Sequence, residues 1–232
     1  MNISSFKFHG NLNDFMYLPD RDRIIKYSYS GHPTLKDAIE AIGVPHPEIG
    51  EIKANGQIVS LSEPLENTSF IEVFPFDQMV DVPLKFILDV HLGKLARLLR
   101  LLGFDVWYDN QYLDKEIINL IKIEQRIVLT RDIGLLKQRA VVWGYWLRSQ
   151  NSFRQLKEVF DRYQLKKSVQ PFSRCLLCNG LLHTVQKINV LNLLPSRTQL
   201  FYNEFFQCQD CKKVYWKGSH YERMLQQVKD FI

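Results

Sequence analysis

Two patterns of apolar residues alternate between residues 82 and 168. Short continuous apolar runs, KFIL at 85–88 and RIVLT at 126–130, are typical of strands covered on both faces. Between them, apolar residues recur every three or four positions, most clearly in HLGKLARLLRLLG at 91–103, and this spacing predicts helices. Strands that alternate with helices indicate a parallel sheet with right-handed crossovers, so we expect an α/β fold here.

The first 80 residues show strand-like segments around one short helix. Thr34 is a predicted N-cap with Asp37 three residues later, and Gly43 is suited to end the helix. Asn55-Gly56 predicts a tight hairpin turn. Strands around one helix, with a hairpin, predict a β-grasp domain over residues 1–80.

The last segment is defined by the four cysteines of the chain, which form two C-x2-C pairs: Cys175, Cys178, Cys208 and Cys211. Four thiolates in this spacing predict a tetrahedral structural zinc site, with free thiols or a redox pair as the alternatives. The 29 residues between the pairs predict an additional hairpin. We therefore expect an α/β domain at 82–168 and a zinc ribbon at 169–232.

Composition and charge narrow the functional classes. With 46% hydrophobic residues, the chain can bury real cores and is not a disordered protein. Residues 1–80 hold 6 Lys and Arg against 11 Asp and Glu, whereas the remainder is basic, with 24 against 14. A basic region attracts nucleic acid, although a solvated lysine-rich surface would give the same count.

Two further absences in the sequence bear on location. The chain contains no run of about 18 or more apolar residues, which a membrane helix needs. Its start lacks the charged-then-apolar pattern of a signal peptide. We therefore expect a cytoplasmic protein with no membrane partner.

Aspartates follow the predicted strands. Asp89 ends the first strand, Asp132 lies two residues past another, Asp109 follows a third, and Asp114 opens the next helix. The carboxyl ends of parallel strands share one edge, so these acids could gather there. Clustered carboxylates repel one another, and Mg²⁺ or Mn²⁺ would remove the conflict. Helix capping by Asp114 and turn formation by Asp109 and Asp132 are the alternatives.

Basic residues follow the first of these acids. On the helix after Asp89, Lys94, Arg97 and Arg100 form a stripe opposite the leucines. This stripe is suited to guide a phosphate backbone, and an ordinary solvated helix face is the alternative. Arg131, beside Asp132, is a further candidate for holding phosphate or neutralising the acids.

The segment after the last cysteine, VYWKGSHYERM at 214–224, mixes aromatic and basic residues. Tyr215, Trp216 and Tyr221 could stack on unpaired bases. Lys217, His220 and Arg223 would then contact phosphates. For Trp216, packing in the small core of the ribbon is the favoured alternative.

The N-terminal segment resembles a known family. The stretch IEAIGVPHPEIGEIKANGQIVSL is similar to ubiquitin-like domains related to sulfur-carrier proteins. Carriers end in a Gly-Gly tail, whereas this segment continues through FPFDQMVDVP. The resemblance therefore implies docking of a protein partner or positioning of substrate rather than a carrier role.

The remainder resembles the PIN-like ribonuclease domain named after the C-terminus of the Mut-seven exonuclease. The motifs that carry this resemblance are KFILDVHLGKLARLLRLLGFDVWYDN, IVLTRDIGLL and SRCLLCNG followed by CQDCKKVYWKGSHYERM. Many bacterial members have a ubiquitin-like domain in front. The resemblance implies a PIN-like fold and metal-dependent hydrolysis of RNA, with Asp89, Asp114 and Asp132 as the catalytic Mg²⁺ or Mn²⁺ ligands.

Two features of the match leave other functions open. Asp109 has no clear counterpart in the family and is carried as an accessory acid. Many PIN domains place a further acid in the region that is His91–Phe104 here, and this stretch contains no Asp or Glu. A non-catalytic RNA-binding or adaptor protein is therefore one alternative, and a DNA or flap nuclease is another.

Overall fold

The computed structural model of the protein describes residues 1–76 and 82–232, and the chain divides into two compact units. Unit 1 consists of Met1–Val82 and Ile118–Trp146, and unit 2 consists of Pro83–Ile117 and Leu147–Ile232. The predicted boundary after residue 80 falls within 77–81, outside the described residues. The three-domain division at 1–80, 82–168 and 169–232 stays a prediction.

A five-stranded mixed sheet and one helix form the N-terminal part of unit 1. Their bounds are β1 (Asn2–Phe8), β2 (Ile24–Tyr29), α1 (Leu35–Ile42), β3 (Ile49–Ala54), β4 (Gln57–Ile58) and β5 (Phe70–Pro75). The strand order is β2-β1-β5-β3-β4, in which β1 and β5 are parallel and the other neighbours are antiparallel. Phe6, Phe8, Leu35, Ile39 and Val73 are buried in the core beneath it.

Local signals in this part of the sequence fold as predicted. Thr34 and Asp37 form a reciprocal capping box at the start of α1, and Gly43 follows its end with φ of 142°. Asn55 and Gly56 both have positive φ, 50° and 85°, in the turn that joins β3 to β4. Such angles are what a two-residue hairpin turn with the twist of the strands requires.

The next region alternates strands and helices. It contains β6 (Lys85–Leu88), α2 (Gly93–Leu101), β7 (Asp105–Trp107), α3 (Asp114–Ile123), β8 (Ile127–Thr130), α4 (Ile133–Leu136), β9 (Gly144–Trp146) and α5 (Ser152–Tyr163). In unit 2, β6 and β7 are parallel, and in unit 1, β8 and β9 are parallel. The apolar runs that predicted buried strands are indeed buried, from Phe86 to Leu88 and from Ile127 to Thr130.

Aromatic rings fill the core between the strands and helices of unit 2. Phe86 meets Phe104 edge to face at 6.0 Å between ring centroids, and Tyr163 of α5 at 6.1 Å. Phe104 contacts Phe160 in the same way at 5.9 Å. Edge-to-face contacts of this kind stabilise a core beyond the burial of apolar area alone.

In unit 1, the N-terminal sheet packs on residues 137–146. The ring of His46 faces two oxygen acceptors, with Nδ1 at 2.6 Å from Glu40 Oε1 and Nε2 at 2.6 Å from the Val141 carbonyl. The Phe15 and Trp146 rings lie 5.0 Å apart. The ubiquitin-like part is therefore held against a later stretch of the chain by polar and aromatic contacts.

The C-terminal part of unit 2 is a three-stranded antiparallel sheet with helices around it. Its elements are β10 (Leu182–Val185), α6 (Lys187–Val190), α7 (Ser196–Phe201), β11 (Phe205–Cys208), β12 (Val214–Trp216) and α8 (Ser219–Gln227). The hairpin expected between the cysteine pairs is present only as an antiparallel pair of strands, β10 and β11, which helical turns rather than a short loop connect. Val190 and Leu194, both from this connection, pack with Phe205 in a small core.

The predicted fold class is confirmed. A parallel sheet flanked by helices follows an N-terminal ubiquitin-like sheet, and four cysteines cluster towards the C-terminus. Within residues 1–76 and 82–232, no helix is both long and apolar enough to cross a membrane.

Candidate metal centre and acidic residues

The four cysteines converge on one point in unit 2. Their Sγ atoms all lie within 4.8 Å of one another, with 3.6 Å between Cys175 and Cys211 and 3.4 Å between Cys178 and Cys208. A tetrahedral zinc ion with Zn–S bonds of about 2.3 Å places its sulfurs slightly under 4 Å apart. The cluster therefore has the donor type, number and spacing that zinc requires.

Each cysteine pair sits on a tight backbone turn. In the first, the Cys175 N–H donates to the Gly180 carbonyl at 2.7 Å, and in the second, the Cys208 N–H donates to the Lys213 carbonyl at 3.0 Å. Asn179 and Lys212 have φ of 74° and 61°, which closes the two turns. A Cβ on Gly180 would lie 2.8 Å from Cys208 Sγ, so only glycine fits beside the cluster.

The environment of Cys175 favours its thiolate. Burial opposes ionisation, but the Tyr215 hydroxyl, 3.0 Å from the sulfur, and the backbone N–H groups of Cys178 and Leu177 outweigh it and lower the Cys175 pKa to about 7. The thiolate is the form that binds metal, so this cysteine is prepared for that role.

The first cysteine turn is bonded to α2 and β7. The Arg100 guanidinium donates to the Val106 carbonyl at 2.8 Å and to the Leu177 carbonyl at 2.8 Å. Asn179 accepts from the Val106 N–H at 2.9 Å and donates to Asp105 at 2.9 Å. These hydrogen bonds fix the position of the first cysteine turn relative to α2 and β7.

Arg100 therefore departs from its predicted place on a solvent-facing stripe. Only 4% of its surface is exposed, and burial lowers the pKa of its guanidinium. The neighbouring basic residues Lys94 and Arg97 of the same helix are exposed, as predicted, and so is Arg131. Arg100 differs from them because backbone carbonyls of the cysteine turn and of β7 take up its donors.

The predicted acids occupy the ends of their elements. Asp89 directly follows β6, is half-buried and accepts a hydrogen bond from the Val90 N–H at 2.6 Å. Asp109, two residues after β7, is exposed and accepts from the Gln111 N–H at 2.9 Å. Asp109 thus forms the turn that the sequence offered as an alternative.

The other two acids lie at helix starts. Asp114 is the first residue of α3, and Glu116, rather than Asp114, accepts from the Leu113 N–H at 2.8 Å. Asp132 is the N-cap of α4, where its side chain accepts from the Gly134 N–H at 2.7 Å. Capping therefore explains one function of Asp132.

The four candidate acids do not all belong to the same unit. Asp89, Asp109 and Asp114 belong to unit 2, and Asp132 belongs to unit 1. Within either unit, no three carboxylates of the described residues lie close enough together to share one ion. The convergence of Asp89, Asp114 and Asp132 on a cation stays a prediction.

Comparison with known families decides the assignment of the chain. A family profile described as the Mut7-C RNAse domain matches residues 84–228, and one described as Mut7-C ubiquitin matches residues 1–81. The chain belongs to the Mut7-C RNAse domain family. The family resemblance expected from the sequence is confirmed over both parts of the chain.

Two further comparisons add little to this Mut7-C assignment. No curated protein matches the chain. Among solved structures, the crystal structure of H. volcanii small archaeal modifier protein 1 matches at 17% identity and a TM-score of 0.26, covering 32% of this chain and 98% of that one.

The hydrogen bonds and the ion pair between the first cysteine turn and β7 were not expected from the sequence. Asn179 and Arg174 were not singled out, yet Arg174 pairs with Asp105 at 3.2 Å and donates to the Asn179 carbonyl at 3.0 Å. The Asn179-Gly180 dipeptide does signal a turn with positive φ. Its partners on β7 are more than 70 residues away in sequence, as the separation of 74 between Asn179 and Asp105 shows.

Proposed function

We propose that this protein is a metal-dependent ribonuclease that hydrolyses phosphodiester bonds of RNA. The observation that carries the proposal is membership of the Mut7-C RNAse domain family over residues 84–228. The placement of acids supports it, because Asp89 directly follows β6, Asp114 opens α3 and Asp132 follows β8. Ligand sites of parallel sheets lie beyond the carboxyl ends of the strands.

Asp89, Asp114 and Asp132 are the proposed Mg²⁺ or Mn²⁺ ligands, with Asp109 as an accessory acid. Carboxylate oxygens are the hard ligands these cations prefer. In Asp109 and Asp132, one oxygen accepts a backbone N–H and the other has no hydrogen-bond partner among the described residues. When bound, such a cation supplies an activated water and neutralises charge on the phosphate.

Basic residues on the surface would hold the substrate. Lys94 and Arg97 are exposed on α2, and Arg131 is exposed beside Asp132. Contacts from such residues to phosphates supply affinity that does not depend on base sequence. Arg100 has a structural role in this proposal, because the first cysteine turn uses its guanidinium. The four cysteines would hold a structural zinc ion.

Two parts of the proposal concern the surroundings of the enzyme. The ubiquitin-like part is proposed to bind a protein partner with the surface that does not pack on residues 137–146. A cytoplasmic location agrees with four cysteines kept as thiols for metal rather than paired as disulfides.

The decisive experiment compares the wild type with Asp89→Asn on end-labelled RNA in the presence of Mn²⁺. We expect the variant to cleave roughly 10²–10³ times more slowly, the loss typical of removing one charged group from a preorganised site. Asp161→Asn, at an exposed position of α5, serves as the matched control and should cleave like the wild type. Equal cleavage by wild type and Asp89→Asn would contradict the proposal.

A non-catalytic RNA-binding or adaptor role is the second candidate. It is favoured by the hydrogen bonds that make Asp132 a helix cap and Asp109 a turn residue. The absence of any acid from His91 to Phe104 also favours it. This role predicts salt-sensitive RNA binding by the wild type without metal-dependent turnover. Matched DNA and flap substrates in the same assay separate a DNA or flap nuclease from a ribonuclease.

A further inference from the structure

A cavity of about 920 Å³ opens in unit 2, beside the cysteine cluster. Its walls come from α2, α7, β12 and α8, so it lies between α2 and the C-terminal three-stranded sheet. This volume is within the range of clefts that bind small molecules or single nucleotides. Neither the four cysteines nor the proposed catalytic acids are among the described residues that line it.

Several aromatic rings line this cavity. They come from the following residues: Phe153, Phe172, Phe201, Tyr202, Tyr215, Trp216 and Tyr221. Some support one another, such as Tyr202 and Trp216 with centroids 6.5 Å apart. Phe201, in contrast, is 72% exposed. The ring of Phe201 is exposed and lines the cavity, so it is available for contact with a ligand.

The charge of the lining is positive. Lys94, Arg97, Arg197 and Lys213 contribute to it, and no Asp or Glu is among the described residues that line the cavity. Aromatic faces combined with basic side chains are the combination that binds unpaired nucleotides, in which bases stack and phosphates meet cations.

A second groove, of about 610 Å³, shares one wall with the aromatic cavity. Lys94 and Arg97 line both, and the second groove also contains Tyr108, Asp109 and Asn110. A ligand that fills the cavity and continues past the two basic residues would therefore reach Asp109. A flexible polymer with regularly spaced negative charges fits this path better than a compact molecule.

We propose that the aromatic cavity binds an unpaired base of single-stranded RNA, while Lys94 and Arg97 hold the phosphates that lead towards Asp109. The inference rests on the proposed function, since it takes RNA as the substrate, and it restricts that substrate to single-stranded segments. A base within a duplex is stacked and paired, so its face is not available to the rings.

The test measures binding separately from cleavage. Fluorescence anisotropy with the full-length, zinc-loaded Asp89→Asn protein, without added Mg²⁺ or Mn²⁺, compares a labelled oligouridylate with a duplex RNA of equal length. We expect the single strand to bind about tenfold more tightly. Phe201→Ala should weaken single-strand binding by roughly tenfold, as loss of one stacking contact does. Arg197→Ala should weaken it several-fold and reduce its salt dependence.

Two controls come from the same part of the chain. Leu200→Ala changes the neighbouring residue on α7, which is 77% exposed but does not line the cavity, and should leave binding unchanged. Lys166→Ala removes an exposed positive charge that lies outside both cavities and should have little effect.

Three results would overturn the inference. They are equal affinity for single strand and duplex, equal binding by Phe201→Ala and Leu200→Ala, and displacement of the RNA by an acidic peptide whose own binding depends on Phe201. The last would identify the cavity as a protein-docking site. Tight, Phe201-dependent binding of single strands by a wild type that cleaves no RNA would contradict the proposed hydrolysis and leave the base site standing.

Discussion

The guanidinium of Arg100 lies 2.8 Å from the Leu177 carbonyl, so a helix of the nuclease-like region is bonded directly to the first cysteine turn. Leu177 stands between Cys175 and Cys178, whose sulfurs belong to the four-cysteine cluster. The cysteine cluster and α2, which carries Lys94 and Arg97, are thus linked by hydrogen bonds.

Replacing Arg100 should therefore destabilise unit 2. We expect Arg100→Met to lower the free energy of unfolding by about 2 kcal/mol, because the buried Val106 carbonyl loses its donor. Arg97→Met, on the exposed face of the same helix, should change it by less than about 0.5 kcal/mol. Urea denaturation of both variants measures the difference, and similar losses would contradict the structural role of Arg100.

Asn179 allows the hydrogen bonds of the turn to be separated from its backbone conformation. Asn179→Gly keeps the positive φ of 74° accessible but removes the bonds to Val106 and Asp105, and should cost about 1–3 kcal/mol. Asn179→Ala loses the same bonds and adds about 1 kcal/mol of left-handed strain. Thermal and urea denaturation of the two variants give the order; a glycine variant as stable as the wild type would show that the bonds contribute nothing.

Removal of zinc should loosen the C-terminal part of unit 2 and the strand bonded to it. After chelation, we expect faster amide hydrogen exchange in β10, β11 and β12, and also in β7, whose Val106 N–H depends on Asn179. Structural zinc contributes on the order of 10 kcal/mol to such small domains. Amides of β1 and β5 act as internal controls, since they belong to unit 1. Unchanged exchange in β11 after verified metal loss would exclude a structural role for zinc.

The capping box of α1 should make stability depend on pH in acid. Hydrogen bonds from the Thr34 hydroxyl and N–H lower the pKa of Asp37 below 3.8, so its contribution is present above that pH and is lost as the pH falls through the lowered value. At neutral pH, Asp37→Ala should cost about 1 kcal/mol. Urea denaturation from pH 7 to pH 2.5 should show this difference shrinking. Asp37→Asn keeps an acceptor oxygen without titrating, so its stability should vary less over the same range.

His46 should anchor the N-terminal sheet to residues 137–146. His46→Ala removes both ring contacts, to Glu40 and to the Val141 carbonyl, and should lower the free energy of unfolding by about 1–3 kcal/mol. His9→Ala provides a comparison, since His9 also pairs with a glutamate, Glu72, but on the N-terminal sheet itself. Hydrogen exchange in β9 should rise only in His46→Ala, and a rise in both variants would contradict the anchoring role.

The sequence predicts best where its signals are local. The capping box at Thr34, the turn at Asn55-Gly56 and the cysteine cluster each depend on residues a few positions apart or on a recognisable spacing, and all are confirmed. Arg100 shows the limit. A charged residue on a helix is expected in water, and only a turn that follows 76 residues later accounts for its burial.

The acids illustrate a second limit. Their positions at the ends of strands and helices follow from the pattern of apolar runs, and the structure places Asp89 and Asp132 there. Their convergence depends on packing between segments that are distant in the sequence. The helical connection between β10 and β11 escaped prediction for a related reason, since its residues Val190 and Leu194 pack with Phe205 of β11.

The contact between Phe15 and Trp146 has a consequence for protein synthesis. On the ribosome, the N-terminal sheet emerges first, and the segment that covers its aromatic surface follows only after the intervening strands and helices have been translated. Until then, Phe15 and Phe76 lack the contacts that their rings make with Trp146 and Trp143, and this apolar surface is open to chaperones and to other nascent chains. A gene shortened after codon 81 would leave this surface permanently bare, and its product should aggregate.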